Sequence, residues 1–459
     1  MSGKKSIAAL KTYPHNINWR AEASVVQWID EMPSALKKYP KRVVILGGGF
    51  GGVRAALRLN KLLPRDYEIV LVDKKAYHLP AWQLYETATA FYLRATPADY
   101  ERIQRVAAIP YSVIFKHTRV RFLQATVRDV FLSDRSVALS FHSNEKGENE
   151  HTGLLHFKYA VLALGSETNY FGIKGLADRS LGLKGLADSL NLRNSLEELY
   201  VRKKKGEPID IVIGGGGFTG VELAGELPGY LSRVARAYGH DYLDTHITIV
   251  EGGKCVLGGA APWIVDRAEE RLQKLGITLL METPIEQYDG QKILLKGGGS
   301  LPADLLVWTA GVRANALLEH ITGADLTKTC MVVTEHLQLP HYSHVYGIGD
   351  NVFCFDQARQ CAVPATAQRA LDQAEVAAHN ISAEIAKAPL ALFFPRTPVF
   401  IVPIGGKYAL ADIHGVRLEG ALAWCAKMLI GLLYLFTIVP VYRALYQWTR
   451  SLLVYTRND

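Results

Sequence analysis

Two glycine triplets are the first residues in this 459-residue chain whose spacing implies chemistry. Gly47, Gly49 and Gly52 form GxGxxG directly after the apolar run RVVIL, and Gly215, Gly217 and Gly220 repeat it after IDIVI. In such a motif the first glycine permits a tight turn and the second lets a diphosphate approach the backbone. The third lets helix and strand pack closely. Free N–H groups at the positive end of the following helix then meet the phosphates. An acid closes the next strand in each case: Asp73, 26 residues after Gly47, and Glu251, 36 residues after Gly215. The first interval is close to the ~20 residues expected for a carboxylate on a ribose hydroxyl, and the second demands a longer helix or loop. A carboxylate there accepts from both ribose hydroxyls and repels a 2′-phosphate, so Glu251 favours NADH over NADPH. Glycines stand at 252 and 253, where an arginine would argue the other way, and only the nearby Lys254 softens the choice.

Two further acids accompany these turns. Glu222 lies just inside the helix after the second turn, a place where the helix dipole alone favours an acid. Asp350 ends the GIGD tetrapeptide that follows the short apolar run HVY. By itself it reads as a helix cap; beside the first fingerprint it also suits a bond to the ribityl chain of FAD.

The elements that must position these residues are βαβ units. RVVILGGGFGGVRAALRLNKLL followed by YEIVLVD reads as strand, turn, helix and strand, and PIDIVIGGGGFTGVELAGEL leading to HITIVEGG reads the same way. Continuous apolar strands of this kind belong to parallel sheets covered on both faces. Residues 119–163 read as short strands with hairpin turns. The expected fold is therefore α/β, with two Rossmann-like dinucleotide-binding domains, for FAD and NADH, and a C-terminal helical membrane-anchoring segment. Its boundaries are an extension at 1–40, partly helical around Ala23–Ile29, an FAD domain from 41–165 and 311–390, an NADH domain at 166–310, and a membrane-association region at 391–459.

Composition narrows the classes. Lys and Arg number 52 against 44 Asp and Glu, a formal charge of +8, yet no basic arm or nucleic-acid motif accompanies it, so no nucleic acid is expected. The five cysteines form no CxxC pair, as in a reducing compartment, and no metal site is expected. The N-terminal residues lack the apolar core of a secretory signal. At the other end, Met428–Tyr442 carries no charge and contains Pro440; no acid occurs from Gly420 to Asn458, whereas Lys427, Arg443, Arg450 and Arg457 do. With Trp424, Tyr434, Tyr442, Tyr446, Trp448 and Tyr455 added, this reads as a monotopic anchor lying among lipid headgroups. A helix pair packed inside a soluble protein, or within a homodimer, fits the same stretch.

Taken together the chain resembles the type II NADH:quinone oxidoreductases, or alternative NADH dehydrogenases, of the two-dinucleotide-domain flavoprotein superfamily. The resemblance spans about 41–459 and rests on GGGFGG at 47–52, YHLPAWQLYETA at 77–88, ALGSETNYFG at 163–172, GGGFTGVELAGEL at 215–227, WTAGV at 308–312, GIGD at 347–350 and ATAQRALDQ at 365–373. It implies FAD held without a covalent link, NADH stacked on one face of the flavin, and a quinone, ubiquinone or menaquinone, arriving from the membrane, with no ion pumping. It also implies cofactor contacts from Phe50, Lys74, Gly165, Gly311 and Ala367, which lie in or beside these motifs. Glu222 matches the family glutamate beside the nicotinamide, Asp350 the ribityl ligand and Gln368 the first glutamine of the quinone motif AQxAxQ. The sequence departs at Asp372, which stands where the second glutamine belongs, with Gln373 one residue later. Three readings follow: an acid that tunes proton delivery, a helix shift that turns Gln373 inward, or a residue 372 facing solvent.

The expected location is the cytoplasmic face of a bacterial plasma membrane. An organellar inner membrane is the alternative, since Lys4, Lys5, Lys11 and Arg20 precede any acid. A sulfide:quinone oxidoreductase is disfavoured because no cysteine precedes Cys255, and disulfide reductases because CxxxxC is missing near the first fingerprint. A soluble NADH:acceptor reductase and a flavin-binding redox sensor are the remaining rivals.

Overall fold

The computed structural model describes residues 40–141, 151–356, 360–396 and 399–456. The expected N-terminal arm with its helix around Ala23–Ile29 lies outside the described residues, as does Arg457.

From the first described residues the chain forms strand β1 (Arg42–Leu46), helix α1 (Phe50–Leu62) and strand β2 (Glu68–Asp73). Helices α2 (Leu84–Ala88) and α3 (Pro97–Ala107) precede β3 (Val120–Gln124); an antiparallel trio, β4 (Thr126–Phe131), β5 (Ser136–Phe141) and β6 (His151–His156), leads to β7 (Tyr159–Leu162). After β8 (Ser166–Thr168) comes a second unit. It runs through β9 (Leu181–Gly182), α4 (Leu186–Arg202), β10 (Ile209–Gly214), α5 (Phe218–Tyr238), β11 (Thr245–Val250), α6 (Pro262–Lys274), β12 (Ile277–Leu280) and β13 (Leu305–Trp308). The chain returns through β14 (Val312–Ala314), β15 (Gln338–Leu339) and β16 (Tyr342–Gly347) to helix α7 (Ala367–Ala386). An antiparallel sheet, β17 (Phe400–Pro403), β18 (Ala409–Ile413) and β19 (Val416–Gly420), leads into helices α8 (Ala421–Ile438) and α9 (Val441–Tyr455).

Two parallel sheets organise this path. The first has the order β15-β16-β7-β1-β2-β3, with only β15 antiparallel to its neighbour. The second, β9-β13-β10-β11-β12, is parallel throughout. Every residue of β1 is buried, which is why its sequence shows no polar alternation. The strands β8 and β14 pair antiparallel, Ser166 opposite Ala314, where the chain passes out of the first unit and back. The 36-residue interval from Gly215 to Glu251 is filled by the 21-residue α5 and a short 3₁₀ turn at Tyr242–Asp244.

The C-terminal helices are part of the main core and also present an apolar outer surface. Tyr434, Leu435 and Ile438 of α8 are buried in one cluster with Val53 and Ala56 of α1 and Ala377 of α7. On the opposite side Leu422, Leu429, Leu433, Tyr442, Tyr446 and Leu453 are exposed. By length and composition alone, the 18-residue α8 is apolar enough to cross a membrane; its inner side is instead fastened to the protein. Pro440 stands as N-cap of α9, because proline has no N–H to continue α8 and its ring obstructs the preceding turn.

Candidate active site

Both glycine turns are shaped for a dinucleotide. Gly47 and Gly215 have φ of +103° and +112°, and a Cβ on either would fall 2.2 Å from the carbonyl oxygen of Ala163 or 2.6 Å from backbone atoms of Ala310. A Cβ on Gly52 would strike Gly47 O at 1.8 Å, and one on Gly220 would strike Gly215 O at 2.0 Å. Around Gly49 and Gly217, by contrast, an added Cβ meets nothing within 4 Å. The first and third glycines are thus required by the protein's own packing, and the second faces open space at a helix N-terminus, where a diphosphate fits.

The two acids occupy equivalent places. Asp73 Oδ2 accepts from the Gly48 N–H at 2.6 Å, and Oδ1 accepts from the Lys75 N–H at 2.8 Å. Glu251 Oε2 accepts from the Gly216 N–H at 2.7 Å, and Oε1 from the Gly253 N–H at 2.7 Å. Lys74 is exposed beside the first. Asp350 is not a helix cap: it lies within the 3₁₀ turn Gly349–Asn351, whose N-cap is Ile348. Its Oδ2 accepts from the Ser166 hydroxyl at 2.7 Å, and Lys184 Nζ donates to Ser166 Oγ at 2.9 Å. Gly165, with φ +72°, donates its N–H to Asn351 Oδ1 at 3.2 Å. Gly311 has φ +107°, and a Cβ there would come 2.8 Å from the tip of the exposed Phe171 ring, which would have to shift.

A cavity of about 870 Å³ reaches from Phe50 and Phe218, the first residues of α1 and α5, to the C-terminal helices. Its walls include Glu222 of α5, Ala367, Gln368 and Asp372 of α7, and Trp424, Lys427 and Gly431 of α8. Glu222 sits in the second turn of α5, past the reach of a first-turn acid. Burial pushes its carboxyl up to about 8; Lys427 opposes the rise and Glu86 adds to it. Lys427 is turned inward, not toward lipid as its place in the basic tail suggests. Its Nζ lies 2.5 Å from Glu86 Oε1 and donates to Tyr85 OH at 2.6 Å, with both charged side chains about seven-eighths buried.

On α7, Gln368 reaches the cavity and its Oε1 accepts from the Val399 N–H at 3.2 Å. Asp372 also lines the cavity, with Oδ1 3.7 Å from Arg396 Nη1. Burial raises its carboxyl against the pull of Arg396, so it is not the solvent-facing residue the third sequence reading allowed. Gln373 corrects another expectation. It is fully buried, and its Oε1 accepts from the Gly349 N–H at 2.7 Å, so it faces the GIGD turn rather than the cavity. One residue along a helix is a rotation of about 100°, and that rotation separates Asp372 from Gln373.

Sequence reasoning missed a buried pair behind the first glycine turn. His78 is wholly buried, and burial holds its imidazole down at about 4, hence neutral. Tyr434 OH lies 2.7 Å from His78 Nε2, and His78 Nδ1 lies 3.1 Å from Gly48 O. A carbonyl can only accept, so Nδ1 carries the proton and Tyr434 donates to Nε2. Tyr111 OH donates to the same Gly48 carbonyl at 2.7 Å. Two donors therefore pin this carbonyl inward, and in a trans peptide the Gly49 N–H must point the opposite way. Phe50 closes the group, its ring 5.2 Å from those of His78, Trp82 and Tyr434. The one signal in the sequence was the histidine of YHLPAWQLY; Tyr434 had the look of an interfacial aromatic.

The fold and these paired turns define the class. Residues 41–378 match the pyridine nucleotide-disulphide oxidoreductase model, and the chain belongs to that family. It is an FAD-dependent oxidoreductase that binds a pyridine nucleotide. Within the class it is similar to the type II NADH:quinone oxidoreductase of Staphylococcus aureus strain NCTC 8325 / PS 47. The two are 29% identical over 356 residues, which cover 74% of this chain and 82% of that one. Its fold matches NDH2 from Plasmodium falciparum, solved in complex with NADH, with TM-score 0.76 at 17% identity over 91% of this chain and 99% of that one. The sulfide:quinone oxidoreductase of Aquifex aeolicus shares the fold at TM-score 0.67 and 17% identity, covering 91% and 92%.

Proposed function

We propose that this chain is a membrane-associated NADH:quinone oxidoreductase that moves a hydride from NADH to FAD and two electrons onward to a quinone, without ion pumping. When bound, FAD supplies the redox chemistry, accepting a hydride and releasing electrons, while the protein supplies orientation and electrostatics. The turn at Gly47–Gly52 with Asp73 holds the FAD diphosphate and ribose, and Asp350 meets its ribityl chain. The turn at Gly215–Gly220 with Glu251 binds NADH. Gln368 and Asp372 flank the quinone head group, and Glu222 holds a proton at the cavity wall for delivery to the reduced acceptor.

The observation that carries this reading is the cavity itself, which connects Glu222 on the second unit with the inner sides of α8 and α9. Those helices turn an apolar face outward, as a monotopic membrane enzyme requires. Because the NADH pool is intracellular, the side proposed for this face is the cytoplasmic one of a plasma membrane.

Gly431 offers the test, because it lines the cavity on α8 and a Cβ there meets nothing within 4 Å. Gly431→Trp is expected to raise KM for a short-chain quinone by roughly tenfold, about 1.4 kcal/mol, while NADH-driven ferricyanide reduction is retained. Equal loss with both acceptors would contradict the assignment.

A further inference from the structure

We propose a second binding site, for the phosphate headgroup of an anionic phospholipid, in a cleft between α1 and the α8–α9 turn. The proposal rests on the membrane reading above. The cleft encloses about 260 Å³ and shares no lining residue with the larger cavity. Arg54, Arg58 and Lys61 stand at i, i+4 and i+7 along one side of α1 and line it together with His117. Among the described residues that line the cleft, one carboxylate faces them: Glu375, 3.6 Å from Arg54 Nε and 2.9 Å from Arg58 Nε. Beside that carboxylate the Arg54 and Arg58 side chains remain 25% and 43% exposed. Three cations against one carboxylate leave the cleft positive.

The opposite wall identifies the ligand. It consists of Phe436, Thr437, Ile438, Val439 and Pro440, the end of α8 and the turn after it. From that wall the exposed side chains of Leu433, Val441 and Tyr442 continue outward over the surface. A soluble phosphate needs only the cations. A ligand that meets cations and an apolar wall at once, and continues onto an apolar surface, is a lipid with its phosphate in the cleft and its chains along α8 and α9. The chemistry shared with a free phosphate is the charge-assisted pairing to arginine.

Co-sedimentation of the flavin-loaded full chain separates these cases. The vesicles are phosphatidylcholine alone, or phosphatidylcholine mixed with phosphatidylglycerol. The wild type is expected to prefer the mixed vesicles, and the Arg58→Gln, Lys61→Gln double variant to lose that preference by roughly fivefold per cation removed. Its binding to phosphatidylcholine alone should be unchanged. A Lys292→Gln, Lys296→Gln pair, removing two exposed cations elsewhere, should behave as wild type. If the first pair keeps the preference, or the control pair loses as much, the headgroup site is overturned. Stabilisation of the wild type but not the first pair by soluble glycerophosphate, without any vesicle preference, would reassign the cleft to free phosphate and overturn the lipid. Binding to neither vesicle would overturn the membrane reading instead.

Discussion

A carboxyl held neutral by burial has a proton to give, which is the role proposed for Glu222. Burial and the neighbouring Glu86 push it up to about 8, with Lys427 limiting the rise. Because its value is raised, the neutral form persists through pH 7 and is lost as the pH passes about 8. Quinone turnover in the wild type should therefore hold at neutral pH and fall across that value. Glu222→Gln removes the transferable proton but keeps shape and neutrality. It should lower quinone turnover by roughly ten- to a hundredfold, leave flavin reduction by NADH nearly intact, and abolish the alkaline limb. A limb near pH 8 that survives in the variant would assign it to another group. Asp372 differs in kind: it is raised by burial but held beside Arg396, so it reads as an oriented acid at the cavity wall.

At the scale of elements, each glycine turn separates what the fold needs from what the ligand needs. Gly52→Ala would set a Cβ 1.8 Å from Gly47 O and should prevent the first unit from folding; Gly49→Ala meets nothing and should fold but lose FAD. Gly52→Ala is read as the yield of folded protein and Gly49→Ala as flavin absorbance per folded protein; a wild-type flavin content in Gly49→Ala would refute the turn's role. Helix α8 reaches the same turn through Tyr434 and His78. Tyr434→Phe deletes one buried hydrogen bond, about 1 kcal/mol, and should weaken FAD binding roughly fivefold in a fluorescence titration. An unchanged affinity would show that α8 docking and flavin retention are independent. These elements also mark how far the sequence can be read. The strands, the turns and their acids follow from local rules, since a GxGxxG between strand and helix dictates its own geometry. Lys427, Tyr434 and His78 do not, because inward and outward sides of an apolar helix look alike until its partner is known. Gln373 shows the same limit within one helix, where a single residue step decides between cavity and core.

At the scale of the whole molecule, two parallel sheets present their glycine turns within one structure, and the C-terminal helices close the cavity between nucleotide chemistry and an apolar outer face. That layout explains why the same helices bury Tyr434 and Leu435 yet expose Leu429 and Leu433: they are cavity wall on one side and the proposed membrane contact on the other. The central claim is that electrons enter from NADH, rest on the flavin and leave to a quinone. It is tested most directly by anaerobic flavin absorbance of the purified full chain. Stoichiometric NADH should bleach the yellow flavin band, and a soluble ubiquinone or menaquinone analogue should then restore it, repeatedly and with one NADH consumed per quinone reduced. A band that NADH bleaches but neither quinone restores would contradict the account.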